Sequence, residues 1–501
     1  MKSIDLNKLF IAIILLICAG AVGAFFGASG SYLIIFASII GGYMAMTIGA
    51  NDVANSWAPA VSSRSITLVG AIIIAFIGNA AGAILAGGEV VSTVKGGIIA
   101  QSAFSDTGIF INIMLSAIIS GAIWIHFATV IGAPVSTTHS IIGAILGAGL
   151  LAGGASVVQW KVIGQIVASW IISPLLGGVI AALLLLFIKQ AITYRSNKIN
   201  AAKIVLPPLL GVMSFAFCLY IALKGLKNVL KLDPTILFIG SIGIGIIVFF
   251  ITRPLIARGA RKLSNSKDSV GSLFALPLIF GAGFLSFAHG ANDVANAIGP
   301  LAAINQMLQD GIIAKKAASP FWILAIGGFG ISVGLALYGA KLIKVVGKEI
   351  TDLNKIRAFC VAMSAAITVL IASYLGLPVS STHIAIGSIF GIGFLREFLK
   401  NRYQKILLEI SLRTRIKPDL EAFLERFKKA SVTRKKIMLK NLKKQKLDLT
   451  KKDKDALKKV YKEQLVKRNT LMKIIASWVI TVPASAVLSA FVFFVIGQLG
   501  V

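Results

Sequence analysis

Charged residues are scarce in this chain. Only 14% of its 501 residues are Asp, Glu, Lys or Arg, and 57% are hydrophobic. A soluble domain carries about 25% charged residues, so the composition excludes a soluble globular protein. Hydrophobic runs of about 20 residues, long enough to cross a bilayer as helices, recur along the whole length. The sequence therefore predicts an all-α polytopic membrane protein with roughly 11–12 membrane segments.

Cysteine and nucleotide-binding motifs are also nearly absent. The three cysteines, Cys18, Cys218 and Cys360, lie in apolar runs, and their spacing fits neither a disulfide framework nor a metal site. No GxxxxGK[ST] stretch is present, which argues against transport driven by ATP. No zinc-type cluster or nucleophile turn is evident in the sequence. We therefore expect no enzymatic activity and no cofactor.

Acidic residues are few, and the basic residues are concentrated in one stretch. The net charge is +31, and 26 of the 50 Lys and Arg residues lie between Arg396 and Lys473. Smaller basic clusters follow Lys189 and run from Arg253 to Lys267. Basic loops beside membrane helices mark the cytoplasmic side. We interpret residues 396–470 as a cytoplasmic helical insertion that attracts anionic lipid, and we expect no nucleic-acid partner.

Three polar or small-residue motifs occur twice in the same order. GANDVAN stands at 49–55 and again at 290–296. APVSTTHSIIGAILGAGL at 133–150 matches LPVSSTHIAIGSIFGIGF at 377–394, and IVASWIISP at 166–174 matches IIASWVITVP at 474–483. The chain is therefore one duplicated unit, with the basic insertion inside its second copy.

The distribution of basic residues predicts that the two copies have opposite orientations. We assign residues 1–188 to the first repeat, 189–233 to a linker with one connecting membrane helix, and 234–395 with 471–501 to the second repeat. A single connecting span reverses the second copy, which is the inverted-repeat plan of secondary transporters. We expect a multi-pass protein of the cell membrane, with its N-terminus in the cytoplasm and its C-terminus outside. Lys224, Lys227 and Lys231 fit this orientation poorly because they would lie outside.

The repeated heptad predicts a cation site. Asp52 and Asp293 are carboxylates within apolar surroundings, where an ionisable group is costly and usually functional. A glycine opens each heptad and a proline follows it, so we expect a broken or re-entrant helix near the membrane midplane with freed carbonyls. Carboxylate, amide and carbonyl oxygens together suit sodium, and a proton on Asp is the alternative. The predicted sodium ligands are Asp52, Asn55, Asp293 and Asn296 with the backbone carbonyls of Ala50 and Ala291.

The repeated Pro-Val-Ser boxes predict an anion site. Proline followed by Ser and Thr is a helix-start signature, and a helix start presents free N–H groups and a partial positive charge. Two such starts that face each other would bind a tetrahedral oxyanion, whereas ordinary capping would need only one hydroxyl in each box. We predict that the anion contacts Ser136, Thr137, Thr138, Ser380, Ser381 and Thr382, with Asn51 and Asn292.

The histidines do not share this duplication. His139 and His383 close the two boxes, but Ile48 stands in the first repeat where His289 precedes the second heptad. We therefore interpret each buried histidine as neutral and bonded to a backbone carbonyl, outside the repeated site.

With both pairs of motifs in place, the chain resembles the inorganic phosphate transporter (PiT) family, of the sodium/phosphate symporter type. The resemblance covers both halves and excludes the basic insertion and the connecting span. It implies an inverted-repeat fold, symport of inorganic phosphate with sodium or protons, and a requirement for Asp52 and Asp293 in transport. The first heptad continues SWAPAVSS where the second continues AIGPLAA, so the halves are not equivalent.

The residues alone indicate a cation-coupled carrier of a small oxyanion. Phosphate and sodium are then the expected transported ligands, and a second copy of the chain is a candidate partner. A proton-coupled carrier of phosphate or metal–phosphate, a sulfate carrier, a channel and a phosphate-sensing scaffold remain alternatives.

Overall fold

The computed structural model describes residues 6–28, 31–131, 135–223, 233–313, 319–349, 353–412, 426 and 468–498. Helices account for most of these residues, and no β-strand occurs among them. The helices are α1 (Leu6–Phe26), α2 (Tyr32–Ser62), α3 (Leu68–Ala86), α4 (Gly88–Gly96), α5 (Thr107–Ile131), α6 (Thr137–Gly153), α7 (Trp160–Ile188), α8 (Lys198–Ile221), α9 (Pro234–Ala260), α10 (Lys267–Leu273), α11 (Ala275–Asp310), α12 (Phe321–Glu349), α13 (Lys355–Tyr374), α14 (Ser381–Leu412) and α15 (Arg468–Gln498).

Membrane-spanning length and composition recur through the described part of the chain. Eleven of its helices are long and apolar enough to cross a membrane, or twelve if the pair α10 and α11, bent by 47°, counts as one span. Outer helices such as α7 and α9 expose large apolar side chains, including Ile171, Leu175, Ile239 and Phe250. An apolar outer surface is what lipid contact requires, so the predicted polytopic all-α fold is confirmed.

Helices α2 and α11 form the centre of the fold. Both are buried on nearly every side through the heptad region, whereas α1 and α9 bury only a few residues each. A helix that is apolar all round lies inside a larger assembly, and small residues in α2 and α11 let their neighbours approach closely. The Trp57 indole N–H donates to the Ser286 hydroxyl at 2.6 Å and joins α2 to α11.

Matching glycine contacts occur in the two repeats, as expected for an approximate two-fold relation between them. A Cβ at Gly49 of α2 would overlap the Ile331 carbonyl of α12, and one at Gly290 of α11 would overlap the Asn79 carbonyl of α3. These are the same contact with the repeats exchanged, because α2 corresponds to α11 and α3 to α12. Each heptad helix therefore packs on a helix of the other repeat.

The Pro-Val-Ser helices show the same exchange. A Cβ at Gly147 of α6 would overlap the Ala486 carbonyl of α15, and one at Gly391 of α14 would overlap the Gly178 carbonyl of α7. Close backbone approach over small residues is the usual way in which membrane helices associate. The halves are consequently interlocked, and each buries elements of the other.

The interruption predicted at the heptads is wrong. Helices α2 and α11 run without a break through Asp52 and Asp293, although Pro59 and Pro300 lie inside them. A proline removes one N–H, and packed neighbours in a membrane protein can tolerate that loss. The interruptions lie instead before α6 and α14, whose starts are buried inside the protein at the Pro-Val-Ser boxes. Broken helices therefore occur, but one motif later than predicted.

The described chain groups into two compact units, Met1–Gly391 with Met472–Val501, and Ile392–Leu471. All residues of the candidate site lie in the first unit. The connecting span predicted in the linker corresponds to α8, whereas Lys224, Lys227 and Lys231 and most of the basic insertion lie outside the described residues. The repeat boundaries and the orientation in the membrane stay predictions.

Candidate functional site

Helices α6 and α14 begin with matching caps. The Ser136 hydroxyl accepts a hydrogen bond from the His139 backbone N–H at 3.2 Å, and Ser380 accepts from the His383 N–H at 3.2 Å. Serine at the cap satisfies one of the N–H groups that a helix start leaves without an intrahelical acceptor. The predicted helix starts are therefore present, and capping uses only one hydroxyl of each box. Pro134 lies outside the described residues.

The next hydroxyl in each box contacts the carboxylate of its own repeat. Thr137 donates to Asp52 Oδ2 at 3.1 Å, and Ser381 donates to Asp293 Oδ2 at 2.8 Å. Both carboxylates are buried, with 1% of Asp52 and none of Asp293 exposed. The long helices α2 and α11 thus bring the two acids to the starts of α6 and α14.

The third hydroxyl in each box contacts the opposite repeat. Asn55 donates to Thr382 Oγ1 at 2.8 Å, and Asn296 donates to Thr138 Oγ1 at 3.0 Å. Thr382 in turn donates to Asp52 Oδ1 at 3.3 Å. These bonds cross between the repeats, so the two heptads and the two boxes form one cluster.

The cluster is not fully symmetric. Asn296 also donates to Thr137 Oγ1 at 3.3 Å and to Asp293 Oδ1 at 3.2 Å. The Thr138 hydroxyl donates to the Val379 carbonyl at 2.9 Å, in the segment that leads into α14. The asymmetry lies in which residues bond, because among the described residues Asn296 alone makes the bonds to the first-repeat box, whereas Asn55 and Asp52 both bond to Thr382.

His289 lies inside this cluster, contrary to the prediction from sequence. Its Nε2 atom is 3.0 Å from Asp293 Oδ2 and 3.7 Å from Asp52 Oδ2, and its Nδ1 atom contacts Asn79 Oδ1. The expected partner was a backbone carbonyl, but the partners are three side chains. One signal was available in the sequence, because His289 precedes Asp293 by four residues and so shares its helix face.

Asn51 and Asn292 each donate a hydrogen bond to a neighbouring helix. Asn51 donates to Thr129 Oγ1 of α5 at 3.0 Å, and Asn292 donates to the corresponding Ser373 Oγ of α13 at 3.1 Å. Asn292 Oδ1 also accepts from the Val379 backbone N–H at 3.2 Å. Asn292 thereby holds the segment before α14, and its amide lies against the backbone of Leu377 and Val379. Anion contact by Asn51 and Asn292 stays a prediction.

The carbonyls of Ala50 and Ala291 are not freed. Both residues lie within continuous helix, where each carbonyl faces the N–H four residues later. Pro59 and Pro300 lack an N–H, so the carbonyls that lose a helical partner are those four residues earlier, at Asn55 and Asn296. The predicted freed carbonyls are therefore wrong by five residues, and the heptad asparagines Asn55 and Asn296 carry both the amide and the freed carbonyl. The assignment of Ala50 and Ala291 as sodium ligands stays a prediction.

The two box histidines pack against each other away from the acids. The rings of His139 and His383 are perpendicular with centroids 4.4 Å apart, and His139 also lies 3.8 Å from the Trp170 ring. His126 contacts the Tyr43 hydroxyl at 2.9 Å on an exposed part of α5. His289, by contrast, contacts both acids.

This arrangement can bind a cation and an anion side by side. Two buried carboxylates close to a single imidazole favour a positive partner, because burial of uncompensated charge is costly. The positive ends of the α6 and α14 helix dipoles, with their first-turn N–H groups and hydroxyls, lie at this same cluster and favour an anion. In the structure the hydroxyls already donate to the carboxylates or to a carbonyl, so an entering anion must compete for them.

Comparison with known proteins agrees with this geometry. A protein of Helicobacter pylori strain J99 that carries the provisional name phosphate permease is 49% identical over 509 residues, which cover 98% of this chain and 96% of that protein. A Pyrococcus horikoshii protein with the same provisional name is 39% identical over 369 residues, covering 72% of this chain and 89% of that protein.

A solved structure described as the sodium-dependent phosphate transporter matches with a TM-score of 0.77 and 32% identity, covering 93% of this chain and all of that one. The sequence profile described as the phosphate transporter family matches residues 48–489, which include both heptads and both boxes. The chain belongs to the phosphate transporter family.

Proposed function

We propose that this protein imports inorganic phosphate across the cell membrane by symport with sodium ions. The observation that carries the proposal is the convergence of Asp52 and Asp293 with the starts of α6 and α14 in one buried cluster. The solved relative that covers 93% of the chain is described as sodium-dependent, which supports sodium as the cation.

Sodium binding at the acids makes phosphate binding favourable in this account. The hydroxyls of Thr137, Ser381 and Thr382 donate to carboxylates in the structure. A phosphate beside those carboxylates would meet like charge, and would leave them without their donors. Sodium that binds the carboxylates and the Asn55 and Asn296 oxygens replaces those donors and offsets the charge. The released hydroxyls and the first-turn N–H groups can then hold phosphate.

This shared use of donors gives a physical basis for coupling. Cation and anion each bind better when the other is present, and by linkage the effect is reciprocal. Sodium at the carboxylates offsets buried negative charge, whereas a site that holds the anion without sodium accumulates buried negative charge and reorients less readily. Reorientation would expose the loaded site to the cytoplasm by movement of one interlocked group of helices against the other.

Uptake of radiolabelled phosphate into proteoliposomes tests the proposal. A sodium gradient and a proton gradient are imposed separately on vesicles that contain the purified full-length chain. We expect concentrative uptake with the sodium gradient alone. Uptake with the proton gradient alone would make Asp52 and Asp293 proton carriers, and the sodium proposal would be wrong. Equilibration without concentration under either gradient would indicate a channel.

A further inference from the structure

The side-chain amide of Asn79 fixes the orientation and tautomer of His289. Asn79 Nδ2 donates to the Ala75 carbonyl at 2.8 Å, so Oδ1 is the amide atom that faces His289 Nδ1. An amide oxygen only accepts hydrogen bonds, and His289 Nδ1 must therefore carry a hydrogen. His289 Nε2 is consequently the ring atom directed at the two carboxylates.

The three atoms that meet there have the spacing of metal ligands. Nε2 lies 3.0 Å from Asp293 Oδ2 and 3.7 Å from Asp52 Oδ2, and one ligand atom from each of the three residues lies within 4.8 Å of the others. Donors at about 2.0–2.1 Å from a tetrahedral zinc ion are about 3.3 Å apart. The two measured distances from Nε2 bracket that value, and the two carboxylates lie within 4.8 Å of each other.

Burial and alignment point to a further occupant at Nε2. His289 is 1% exposed, and its Nε2 atom has no aligned hydrogen bond to any residue that the structure describes. A buried nitrogen that faces two carboxylates without such a bond is unfavourable unless a positive species lies between them. A metal ion satisfies all three groups at once.

The groups behind the three residues complete the arrangement. Asn79 accepts from His289 Nδ1, Thr137 donates to Asp52 Oδ2, and Ser381 donates to Asp293 Oδ2. Metal-binding histidines and carboxylates are usually held in this manner by a second layer of hydrogen bonds. Oriented partners of this kind distinguish the group from an ordinary cluster of acidic residues.

We propose that Asp52, His289 and Asp293 form a binding site for one divalent first-row transition-metal ion, with zinc as the best fit. Imidazole nitrogen selects such ions over sodium, magnesium and calcium, which prefer oxygen ligands. Three protein ligands leave a fourth position for water or an anion oxygen. The site occurs once, because Ile48 replaces the histidine in the first repeat. Metal binding stands on this geometry alone, while competition between zinc and sodium for the acids rests on the proposed symport.

Metal binding to the purified full-length protein in detergent tests the proposal. Zn²⁺ affinity is measured by competition with a chromophoric chelator, in a background where Cys18, Cys218 and Cys360 are replaced by serine. We expect one high-affinity ion per chain. Loss of an outer-layer group weakens metal binding at least about tenfold, so loss of a direct ligand in His289→Gln should weaken Zn²⁺ binding by at least that factor. His126→Gln is the matched control because that histidine contacts Tyr43 away from the acids.

A gain of signal identifies the ligand directly. In the same background, His289→Cys with Co²⁺ should show a thiolate-to-cobalt charge-transfer band that His126→Cys lacks. Asn79→Ala keeps all three ligands and should weaken Zn²⁺ binding about 10- to 100-fold, so it serves if the His289 variants do not fold. Unchanged Zn²⁺ affinity in His289→Gln or Asn79→Ala, or bound cobalt without the band in His289→Cys, would overturn the proposal and leave a proton between Nε2 and the carboxylates.

A phosphate-uptake assay distinguishes failure of the metal site from failure of the proposed symport. Zn²⁺ should inhibit sodium-driven phosphate uptake, and a higher sodium concentration should relieve the inhibition. Zn²⁺ binding that persists in a protein without sodium-driven uptake would sustain the metal site and contradict only the symport. Sodium-driven uptake in a protein that binds no Zn²⁺ would contradict only the metal site.

Discussion

Two carboxylates in the centre of this protein have more hydroxyl and amide partners than basic partners. Asp52 and Asp293 accept from Thr137, Ser381 and Thr382, and His289 is the adjacent nitrogen. Burial makes an uncompensated charge costly, so removal of one carboxylate charge should change how strongly the whole cluster attracts a cation. Transport variants at these two positions therefore report on the site most directly.

Replacement of either acid by its amide should abolish sodium-driven phosphate uptake. Asp52→Asn and Asp293→Asn keep the shape and one oxygen acceptor, but they remove the charge that a cation requires. A lost contact to a charged group costs about 1.5–3 kcal/mol, so we expect uptake in proteoliposomes to fall at least about tenfold. Asp268→Asn, at an exposed position in α10, is the control. Wild-type uptake in either amide variant would remove the acids from the cation site.

The third hydroxyls of the boxes should contribute to phosphate binding. Thr138→Val and Thr382→Val preserve side-chain shape and remove one donor each, which should weaken phosphate binding about tenfold per change. Equilibrium binding of labelled phosphate to the purified protein in sodium measures this. Thr252→Val is the matched control, because that hydroxyl bonds to the Val248 carbonyl of its own helix at 2.7 Å. Equal affinity in all three variants would leave Thr138 and Thr382 with structural roles only.

Residue types at the site were largely predictable, and their partners were not. Duplication drew attention to the heptads and the boxes, and the structure brings all four together. His289 escaped this reasoning because it has no counterpart in the first repeat. A buried polar residue such as Asn79 suggests an interhelical hydrogen bond, but its partner His289 lies 210 residues away in the chain, and nothing local to either residue indicates the contact.

Helix starts and helix breaks differed in how well the sequence specified them. A Pro-Val-Ser box contains the cap and the extended residues before it, so local chemistry determines where α6 and α14 begin. The heptads also contain glycine and precede a proline, yet α2 and α11 continue through them. Tertiary packing around a buried membrane helix overrides such local signals.

Close packing between repeats makes particular glycines sensitive to substitution. A Cβ at Gly147 would overlap the Ala486 carbonyl, whereas one at Gly164 would meet nothing within 4 Å. Gly147→Ala should force α6 and α15 apart and destabilise the protein by about 1–3 kcal/mol. Gly164→Ala should be neutral or slightly stabilising, because alanine is the better helix former. Thermal unfolding in detergent compares the two, and equal melting temperatures would contradict the close contact.

The whole molecule combines an interlocked pair of repeats with an apolar exterior. Motif order and spacing predicted the duplication from sequence, and the exchanged glycine contacts support an approximate two-fold relation. The sequence could not show which helix of one repeat packs on which helix of the other, because these contacts join residues hundreds of positions apart. Only the charge distribution bears on orientation in the membrane, and it makes a testable prediction.

Single cysteines should report opposite ends of the inverted topology. In a background without the three native cysteines, Tyr194→Cys lies in the exposed segment after α7, and Gln498→Cys lies at the exposed end of α15. In intact cells a membrane-impermeant thiol reagent should label position 498 and leave position 194 unlabelled until the cells are opened. Labelling of both from the same side would contradict the predicted orientation.

The most direct measurement of the central claim is phosphate affinity with and without sodium. The cluster uses the same hydroxyls for its carboxylates and for the anion, so cation binding must precede or accompany anion binding. Calorimetric titration of purified protein with phosphate in sodium chloride, compared with choline chloride at equal ionic strength, should show at least about tenfold tighter binding in sodium, a coupling of about 1.4 kcal/mol. Asp52→Asn should remove the difference. Equal phosphate affinity in the two salts would contradict a shared site for cation and anion.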